Sequence, residues 1–185
     1  MFNLSTKEVV LSIANAPVIR EKQFVYQHYN NFFGNSDIAE ENFGNLKFEK
    51  LENQEKYPRQ RLSYNEKFSK QLQIFFMNRA ITSALEEQYK TNLKFDSVDL
   101  WIDNKNYFLK PHVDNNSIKL SLQIYLGEDQ PGTCLFENQQ DKDPLYVFNF
   151  KNNCGYSMLL DDSSYHGLEY PVKRDGRTSL YVRYN

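Results

Sequence analysis

The chain has 185 residues, 40% of them hydrophobic and 25% charged. This length and composition are typical of one soluble globular domain with a sizeable core, so we interpret residues 1–185 as a single domain. The formal net charge of −2 excludes an overall basic field that would attract nucleic acid or anionic membranes. No segment approaches the roughly 20 apolar residues of a membrane span. We expect a small-molecule, peptide or protein substrate as the partner, with no membrane and with nucleic acid disfavoured; the oligomeric state is not indicated.

Cysteine usage and the first residues bear on the cellular compartment. Cys134 and Cys154 do not form a Cys-x-x-Cys motif and do not suggest a disulfide framework. The first residues lack a positive stretch followed by a long apolar run, which is the pattern of a signal peptide. We therefore expect a reduced, cytoplasmic setting.

Residues 1–92 are mixed in character and rich in lysine and asparagine, and we predict a mixed helical support region. Residues 18–29 fit either a strand or a helix, because their periodicity does not decide. A helix is predicted over residues 37–43 and a longer one over residues 65–90, with Asn65 as its N-cap. The apolar stripe of the longer helix follows helical spacing and consists of Phe68, Leu72, Phe75, Phe76, Leu85 and Tyr89.

From residue 93 onward the sequence predicts short strands separated by turn residues. The strands are expected over residues 98–102, 107–109, 119–126, 133–136, 145–150, 157–160 and 178–184. Asn-Lys-Asn, Pro-Gly, Asn-Asn and Asp-Gly sequences favour turns between several of them. A succession of short strands of this kind is typical of a β-sandwich or a barrel.

Two of these strands alternate between apolar and polar residues, so each has one apolar face and one polar face. The polar faces carry Ser121, Gln123 and Tyr125 on one strand and Arg177, Ser179, Tyr181 and Arg183 on the other. One interpretation is a half-exposed sheet whose polar residues lie in water. We favour another, in which the apolar faces pack on the helix over residues 65–90 and the polar faces line an interior pocket. It gives the long apolar helix a partner.

The most informative motif is the triplet His112-Val113-Asp114, together with His166 farther along the chain. On an extended segment, residues i and i+2 point to the same face, about 6–7 Å apart, so both side chains can reach one ion. Two imidazoles and one carboxylate are the ligand set of an Fe(II) site with open positions, and no thiolate lies nearby to suggest structural zinc. Alone, the triplet is a weak signal, since a single histidine is more often an ordinary polar residue. His166 and the Arg177-Thr178-Ser179 segment on a predicted strand make a metal site the favoured interpretation.

Residues 100–127 and 155–184 resemble the core of the 2-oxoglutarate and Fe(II)-dependent oxygenases, and the prolyl-hydroxylase-like branch in particular. The matching motifs are Pro-His-x-Asp, a strand that ends in Tyr-Leu, a Gly-Thr turn, Tyr-His-Gly and Arg-x-Ser. The resemblance covers roughly the C-terminal half of the chain. It implies a mainly β fold with helices, namely a double-stranded β-helix (jelly roll) backed by helices, in which residues 93–185 form the core that holds the site.

The resemblance also implies an activity. His112, Asp114 and His166 would hold Fe(II), and 2-oxoglutarate would chelate the metal through its keto oxygen and C1 carboxylate. O2 would be the other co-substrate and ascorbate a supporting reductant, with succinate and CO2 released. The expected enzyme is an oxidoreductase of the dioxygenase type that hydroxylates a protein or peptide side chain, or a free amino acid.

Four residues of the polar faces are implicated in binding by the same resemblance. Arg177 would bind the C5 carboxylate of 2-oxoglutarate with its planar guanidinium. Tyr125 matches a tyrosine that donates a hydrogen bond to the same carboxylate, unless it is a core aromatic residue, and Ser179 would add another bond. Arg183 fits three roles: contact with the other end of 2-oxoglutarate, binding of an acidic group on the substrate, or a place on the surface.

The chain departs from the prolyl-hydroxylase pattern before the metal motif. Those enzymes often carry a tyrosine there, close to the C1 carboxylate, whereas this chain has Trp101, Ile102 and Asp103. Trp101 and Tyr107 are alternative candidates for shaping the substrate entrance, although Trp101 also fits a core position. Two other functions remain open. One is a nucleobase-demethylating oxygenase, which the Arg177 and Arg183 spacing suggests, and the other is a non-catalytic jelly roll that binds a small molecule.

Overall fold

The structure is a computed structural model and describes residues 4–34, 45–51 and 56–185. Three helices lie in these ranges: α1 (Thr6–Asn15), α2 (Lys67–Phe76) and α3 (Arg79–Tyr89). Four strands precede residue 93: β1 (Ile19–Glu21), β2 (Phe24–Tyr29), β3 (Phe48–Lys50) and β4 (Arg59–Leu62). The later strands are β5 (Phe95–Asp103), β6 (Leu120–Tyr125), β7 (Cys134–Leu135), β8 (Tyr146–Val147), β9 (Gly155–Leu159), β10 (His166–Gly167) and β11 (Arg177–Tyr184).

Two antiparallel sheets face each other to form the jelly roll. The large sheet has eight strands in the order β1-β2-β9-β6-β11-β5-β4-β3, and the small sheet has the order β10-β7-β8. A single bridge between His112 and His166 adds the metal-motif segment to the edge of the small sheet. The fold is mainly β with helices, as predicted, and the region before residue 93 contributes four strands to the large sheet in addition to its helices.

The helices cover the outer face of the large sheet. The apolar residues of the central strands β6 and β11 are fully buried there: Leu120, Leu122, Ile124, Leu180 and Val182. They share one core with Ile13 of α1, Leu72 of α2 and Leu85 of α3. Burying each such aliphatic side chain stabilises the fold by about 1.5–3 kcal/mol. The prediction that the apolar strand faces pack on helices is thus confirmed. No helix formed by the described residues is long and apolar enough to cross a membrane.

The helix predicted over residues 65–90 is two helices, so its predicted continuity was wrong. Asn78 interrupts it in an extended conformation (φ −59°, ψ 124°), and its side-chain oxygen accepts a hydrogen bond of 2.9 Å from the amide of Ala80. Asparagine competes for backbone groups in this way and is therefore favoured at caps over helix interiors. At the start of α2 the N-cap is Glu66 rather than Asn65, and its side chain makes no capping bond.

Asn78→Ala is expected to destabilise the protein by about 1 kcal/mol, because α3 loses its capping acceptor. Urea unfolding of the two proteins measures the difference. Asn78→Asp serves as the control, since it keeps an oxygen at the same position and should unfold close to the wild type. Equal stability of all three proteins would contradict this role of Asn78.

Other differences concern short elements. Residues 18–29, which periodicity left undecided, form β1 and β2, with Lys22 at φ 51° in the turn between them. The strand predicted over residues 107–109 does not form, because Tyr107 and Leu109 each accept only single backbone bonds from the 168–172 segment. The helix predicted over residues 37–43 lies outside the described residues. Sequence periodicity did not reveal β3, β4 and β10, which have two to four residues each.

Candidate metal centre

The three predicted metal ligands lie together at the open end of the jelly roll. His112 and His166 are held side by side by two backbone hydrogen bonds, of 3.0 and 2.9 Å, between their own amides and carbonyls. Asp114 follows two residues after His112, so its carboxylate turns back toward both rings. One donor atom from each of the three residues lies within 4.8 Å of the others. Residues distant in sequence are therefore brought to a spacing at which one ion can bind all three.

Both imidazoles present the same nitrogen to the carboxylate. Nδ1 of His112 lies 3.0 Å from the carbonyl of Lys110, and Nδ1 of His166 lies 3.0 Å from the carbonyl of Ser164. A carbonyl oxygen only accepts, so each Nδ1 carries a proton, and in the neutral form of each ring Nε2 keeps its lone pair. The Nε2 atoms lie 3.5 and 3.6 Å from the Asp114 oxygens. Tautomer and ring orientation thus suit metal binding before any ion arrives.

Two of the three residues, His166 and Asp114, have the charge that a divalent cation requires. Burial lowers the pKa of His166, which keeps this ring neutral. Burial alone would raise the pKa of Asp114, but its contacts with His112, His166 and Tyr181 outweigh burial and hold this pKa well below its ordinary value. Burial alone would lower the pKa of His112, but its contact with Asp114 outweighs burial and raises this pKa. Asp114 and His166 are thus ready to coordinate, whereas metal binding would compete with a proton at His112.

Gly167 allows the close approach that places His166. A Cβ atom on this residue would lie 2.6 Å from the carbonyl oxygen of Leu109, closer than side chains tolerate. Gly167→Ala is therefore expected to push β10 away from the 109–112 segment, lower stability by at least about 1 kcal/mol and weaken Fe(II) binding. Thermal unfolding and an anaerobic Fe(II) titration measure the two effects. Wild-type behaviour in both would contradict the account of this contact.

The triad borders a cavity with a volume of about 150 Å³. Its other walls combine two arginines with aromatic rings: Arg59, Arg177, Trp101, Tyr107, Tyr156 and Tyr181. The guanidinium carbon of Arg59 lies 4.5 Å from the centre of the Trp101 ring and 4.4 Å from that of Tyr107, within cation–π distance. Trp101 and Tyr107 both line the cavity, and their role at the substrate entrance stays a prediction.

Arg177 lies deep in this cavity and is almost completely buried. Its Nη1 donates to Asp103 over 2.6 Å, and its Nε donates to the Pro131 carbonyl over 2.7 Å. Asp103 is fully buried, and its other oxygen accepts from Nε of Arg59. Two guanidiniums therefore share one carboxylate, which leaves one net positive charge (two positive charges and one negative) at this end of the cavity. A small anion would find a complementary charge there.

Tyr125 and Ser179, the other two predicted contacts of a co-substrate, lie behind the cavity wall. Both are fully buried. The Tyr125 hydroxyl accepts a 2.9 Å bond from the amide of Thr133, and the Arg177 guanidinium carbon lies 5.7 Å from the centre of the Tyr125 ring. The Ser179 hydroxyl accepts a 3.1 Å bond from Gln123. In this structure the two residues support Arg177 and Gln123, and direct contact with a co-substrate stays a prediction.

Arg183 is not brought to the cavity. Its Nη2 donates to Asp99 over 2.7 Å, and its Nε lies 3.8 Å from Asp96. Arg183 shares a face with Arg177, but it lies at the far end of β11, where the strand pairs with the beginning of β5. The alternation along β11 correctly placed Arg183 on the same face as Arg177. It did not show that this face of the strand continues past the end of the cavity.

Four residues shape the site without a role having been predicted for them: Gln123 and Tyr181 of the predicted polar faces, and Arg59 and Tyr156. The hydroxyl of Tyr181, on the polar face of β11, donates a hydrogen bond to Oδ2 of Asp114. Burial and the nearby Asp114 raise the pKa of Tyr181 well above its ordinary value, so the hydroxyl keeps its proton. Gln123 accepts hydrogen bonds of 2.9 Å from both Thr133 and Tyr156. The alternation of β6 and β11 was the signal for Gln123 and Tyr181, whereas nothing local indicated Arg59 or Tyr156.

Comparison with known proteins identifies the fold. No protein-family model and no curated protein matches the chain. Among solved structures, HygX from Streptomyces hygroscopicus with nickel, 2-oxoglutarate and hygromycin B bound aligns with a TM-score of 0.58 at 12% identity, over 98% of this chain and 87% of that one. A prolyl hydroxylase from Trichoplax adhaerens, in complex with a peptide fragment of the hypoxia inducible factor oxygen degradation domain, gives 0.56 at 11% identity, over 96% and 87%.

A Pseudomonas putida prolyl-4-hydroxylase aligns with a TM-score of 0.51 at 14% identity, over 75% of this chain and 77% of that one. The chain has the jelly-roll fold of the 2-oxoglutarate and Fe(II)-dependent oxygenases. At the level of the fold, the resemblance seen in the sequence is confirmed. The donor set of this oxygenase fold also fits the metal that the family implies, because two imidazole Nε2 atoms and one ionised carboxylate converge at the rim of its cavity.

Proposed function

We propose that the protein is a 2-oxoglutarate and Fe(II)-dependent dioxygenase that hydroxylates a C–H bond. The observation that carries this proposal is the cluster of His112, Asp114 and His166, in which Nδ1 of each ring lies 3.0 Å from a backbone carbonyl and Nε2 faces the carboxylate. When bound, Fe(II) and 2-oxoglutarate together supply the activation of O2, with succinate and CO2 as products. The protein supplies geometry, charge and exclusion of water.

The metal and the C5 carboxylate of 2-oxoglutarate would be bound by different residues at opposite ends of the cavity. At one end, His112, Asp114 and His166 would hold the metal. At the other, Arg177 would bind the C5 carboxylate of 2-oxoglutarate, with the charge of Arg59 adding to the attraction. The contact between Arg177 and Asp103 fixes the orientation of the guanidinium, which lowers the entropy lost when a carboxylate binds. Tyr125 and Ser179 are proposed to support this anchor.

The substrate class that we propose is a protein or peptide side chain, or a free amino acid. The cavity has a volume of about 150 Å³, part of which 2-oxoglutarate would occupy, so the remaining space admits one side chain or a small group of the substrate. Trp101 and Tyr107 offer apolar surface at its wall. The Trichoplax prolyl hydroxylase was solved with a peptide and HygX with hygromycin B, so proteins of this fold bind molecules of both sizes.

The nucleobase-demethylating alternative depended on Arg183 as a second arginine at the site. Arg183 instead binds Asp99 and lies outside the cavity lining, and the net charge is −2. Neither observation favours nucleic acid as the substrate. The second alternative, a non-catalytic jelly roll, does not explain why three metal-ligand side chains lie together. Measuring metal uptake by the purified protein distinguishes that alternative from an enzyme.

The test is a succinate-release screen with Fe(II), 2-oxoglutarate and ascorbate against pools of peptides, free amino acids and single-stranded oligonucleotides. We expect stimulation by the peptide or the amino-acid pool, with the His166→Ala protein as the background. No succinate above that background, with or without any pool, would contradict the proposal. Stimulation by oligonucleotides alone would reverse the choice of substrate class.

A further inference from the structure

The hydroxyl of Tyr181 contacts the carboxylate of the metal motif directly. It donates a hydrogen bond to Oδ2 of Asp114, and among the described residues no other hydroxyl or amide donates to this carboxylate. Oδ1 of Asp114 has Nε2 of His112 at 3.5 Å as its neighbour, and Oδ2 has Nε2 of His166 at 3.6 Å. The two oxygens are unequal because only Oδ2 also accepts a hydrogen bond from a phenol hydroxyl.

We propose that Tyr181 is a positioning residue for the metal site, a role that rests on the proposed function. Its hydroxyl holds Oδ2, so the carboxylate presents Oδ1 to the metal as a single-oxygen ligand. Without the hydroxyl, the carboxylate is free to rotate about its terminal bond and to offer either oxygen or both. Hydrogen bonds to ligating carboxylates orient them in this way, and losing such a partner costs about 10–100-fold in metal affinity.

The two residues differ in how firmly the fold holds them. Asp114 lies on a loop segment outside the strands, whereas Tyr181 is in the middle of β11, paired with Asp99 of β5 on one side and Gln123 of β6 on the other. A side chain on a central strand is a fixed point from which a loop residue can be oriented. Tyr181 thus connects Asp114, which lies outside the strands, to a central strand of the large sheet.

A merely structural role for Tyr181 would act through its ring. The ring lines the cavity, and the guanidinium carbon of Arg183 lies 5.8 Å from its centre. Tyr181→Phe keeps the ring and removes only the hydroxyl, so packing is retained and the bond to Asp114 is lost. Tyr184→Phe is the matched control, because Tyr184 belongs to the same strand and its hydroxyl donates a 3.3 Å bond to the Phe76 carbonyl on the helix-covered face.

The experiment is an anaerobic titration of the metal-free proteins with Fe(II), repeated with Co(II) while the visible ligand-field bands are recorded. We expect Tyr181→Phe to bind Fe(II) 10–100-fold more weakly than the wild type and to show altered Co(II) bands, and Tyr184→Phe to match the wild type in both. Circular dichroism of the metal-free proteins confirms that each is folded.

Two results overturn the proposal, and they are distinguishable. If the wild type and Tyr181→Phe bind both metals with equal affinity and equal spectra, the positioning role is wrong and the proposed function is untouched. If the wild type binds neither metal, the proposed function itself fails, and the role of Tyr181 fails with it. A loss of affinity of the same size in Tyr184→Phe would assign the effect to general destabilisation and would also count against the role.

Discussion

His166→Ala is expected to abolish metal binding and succinate formation together. The His166 side chain is almost fully buried, and its ring is fixed by the Ser164 carbonyl and by the backbone bridge to His112. Alanine leaves one imidazole and one carboxylate, and water does not replace a preorganised imidazole in affinity. The loss in Fe(II) affinity should exceed the roughly 100-fold upper range for losing a partner of a ligand, because a ligand itself is lost. Anaerobic Fe(II) titration and the succinate assay measure the two quantities.

The third histidine of the chain is a matched control for this prediction. His28 lies on β2, outside the lining of the metal cavity, and packs near Phe148 at a ring distance of 6.1 Å. His28→Ala removes an imidazole of the same kind, and we expect Fe(II) affinity and turnover to stay at wild-type values. Metal binding that survives in His166→Ala, or that falls equally in His28→Ala, would contradict the assignment of the ligands.

Replacement of Arg177 is expected to have two effects that arise from different contacts. Arg177→Met removes the Nη1 bond to Asp103 and leaves a fully buried carboxylate with Arg59 as its remaining ion-pair partner. Because Arg59 still neutralises Asp103, the expected cost is that of a lost hydrogen bond between charged groups, about 1.5–3 kcal/mol of stability. The same change removes the proposed anchor of 2-oxoglutarate, and its affinity should fall by about 30-fold or more, corresponding to ~2 kcal/mol. Urea unfolding and the 2-oxoglutarate KM measure them separately.

A second substitution separates structure from binding. Asp103→Asn alone keeps the Arg177 guanidinium and removes the carboxylate that it shares with Arg59, so stability should fall because both cations lose their common ion-pair partner. Affinity for 2-oxoglutarate should fall far less than in Arg177→Met, because the guanidinium is still present. If Asp103→Asn lowers this affinity as much as Arg177→Met does, Arg177 acts only through Asp103 and is not the anchor. If Arg177→Met has wild-type stability, the buried ion pair is not formed.

Patterns within single segments of the sequence predicted which side chains share a face of a strand. The alternation along β6 and β11 gave the two faces of the large sheet, because side chains on a strand alternate whatever surrounds it. The same alternation predicted that the side chains of His112 and Asp114, two residues apart, point to the same side. Asn78 shows the limit of this reasoning. The apolar stripe over residues 65–90 predicted one continuous helix, but the side chain of Asn78 caps a second helix within that range.

The features that the sequence did not predict depend on contacts between distant segments. Arg59 meets Asp103 because β4 pairs with β5 across 44 residues of chain, and no periodicity reports such a pairing. Arg183 and Tyr181 share one face of one strand, yet only Tyr181 reaches the cavity. Which positions of a polar face lie over a pocket depends on the curvature of the sheet and on the loops that close it. That information is in the assembled fold rather than in a single strand.

The most direct test of the metal assignment is the absorption spectrum of the wild-type protein under anaerobic conditions. Fe(II) is added first and 2-oxoglutarate second, and the visible region is recorded after each addition. If His112, Asp114 and His166 hold Fe(II) and 2-oxoglutarate chelates it, a weak metal-to-ligand charge-transfer band appears only after the second addition and is absent in His166→Ala. No band in the wild type at saturating Fe(II) and 2-oxoglutarate would contradict the assignment of this site.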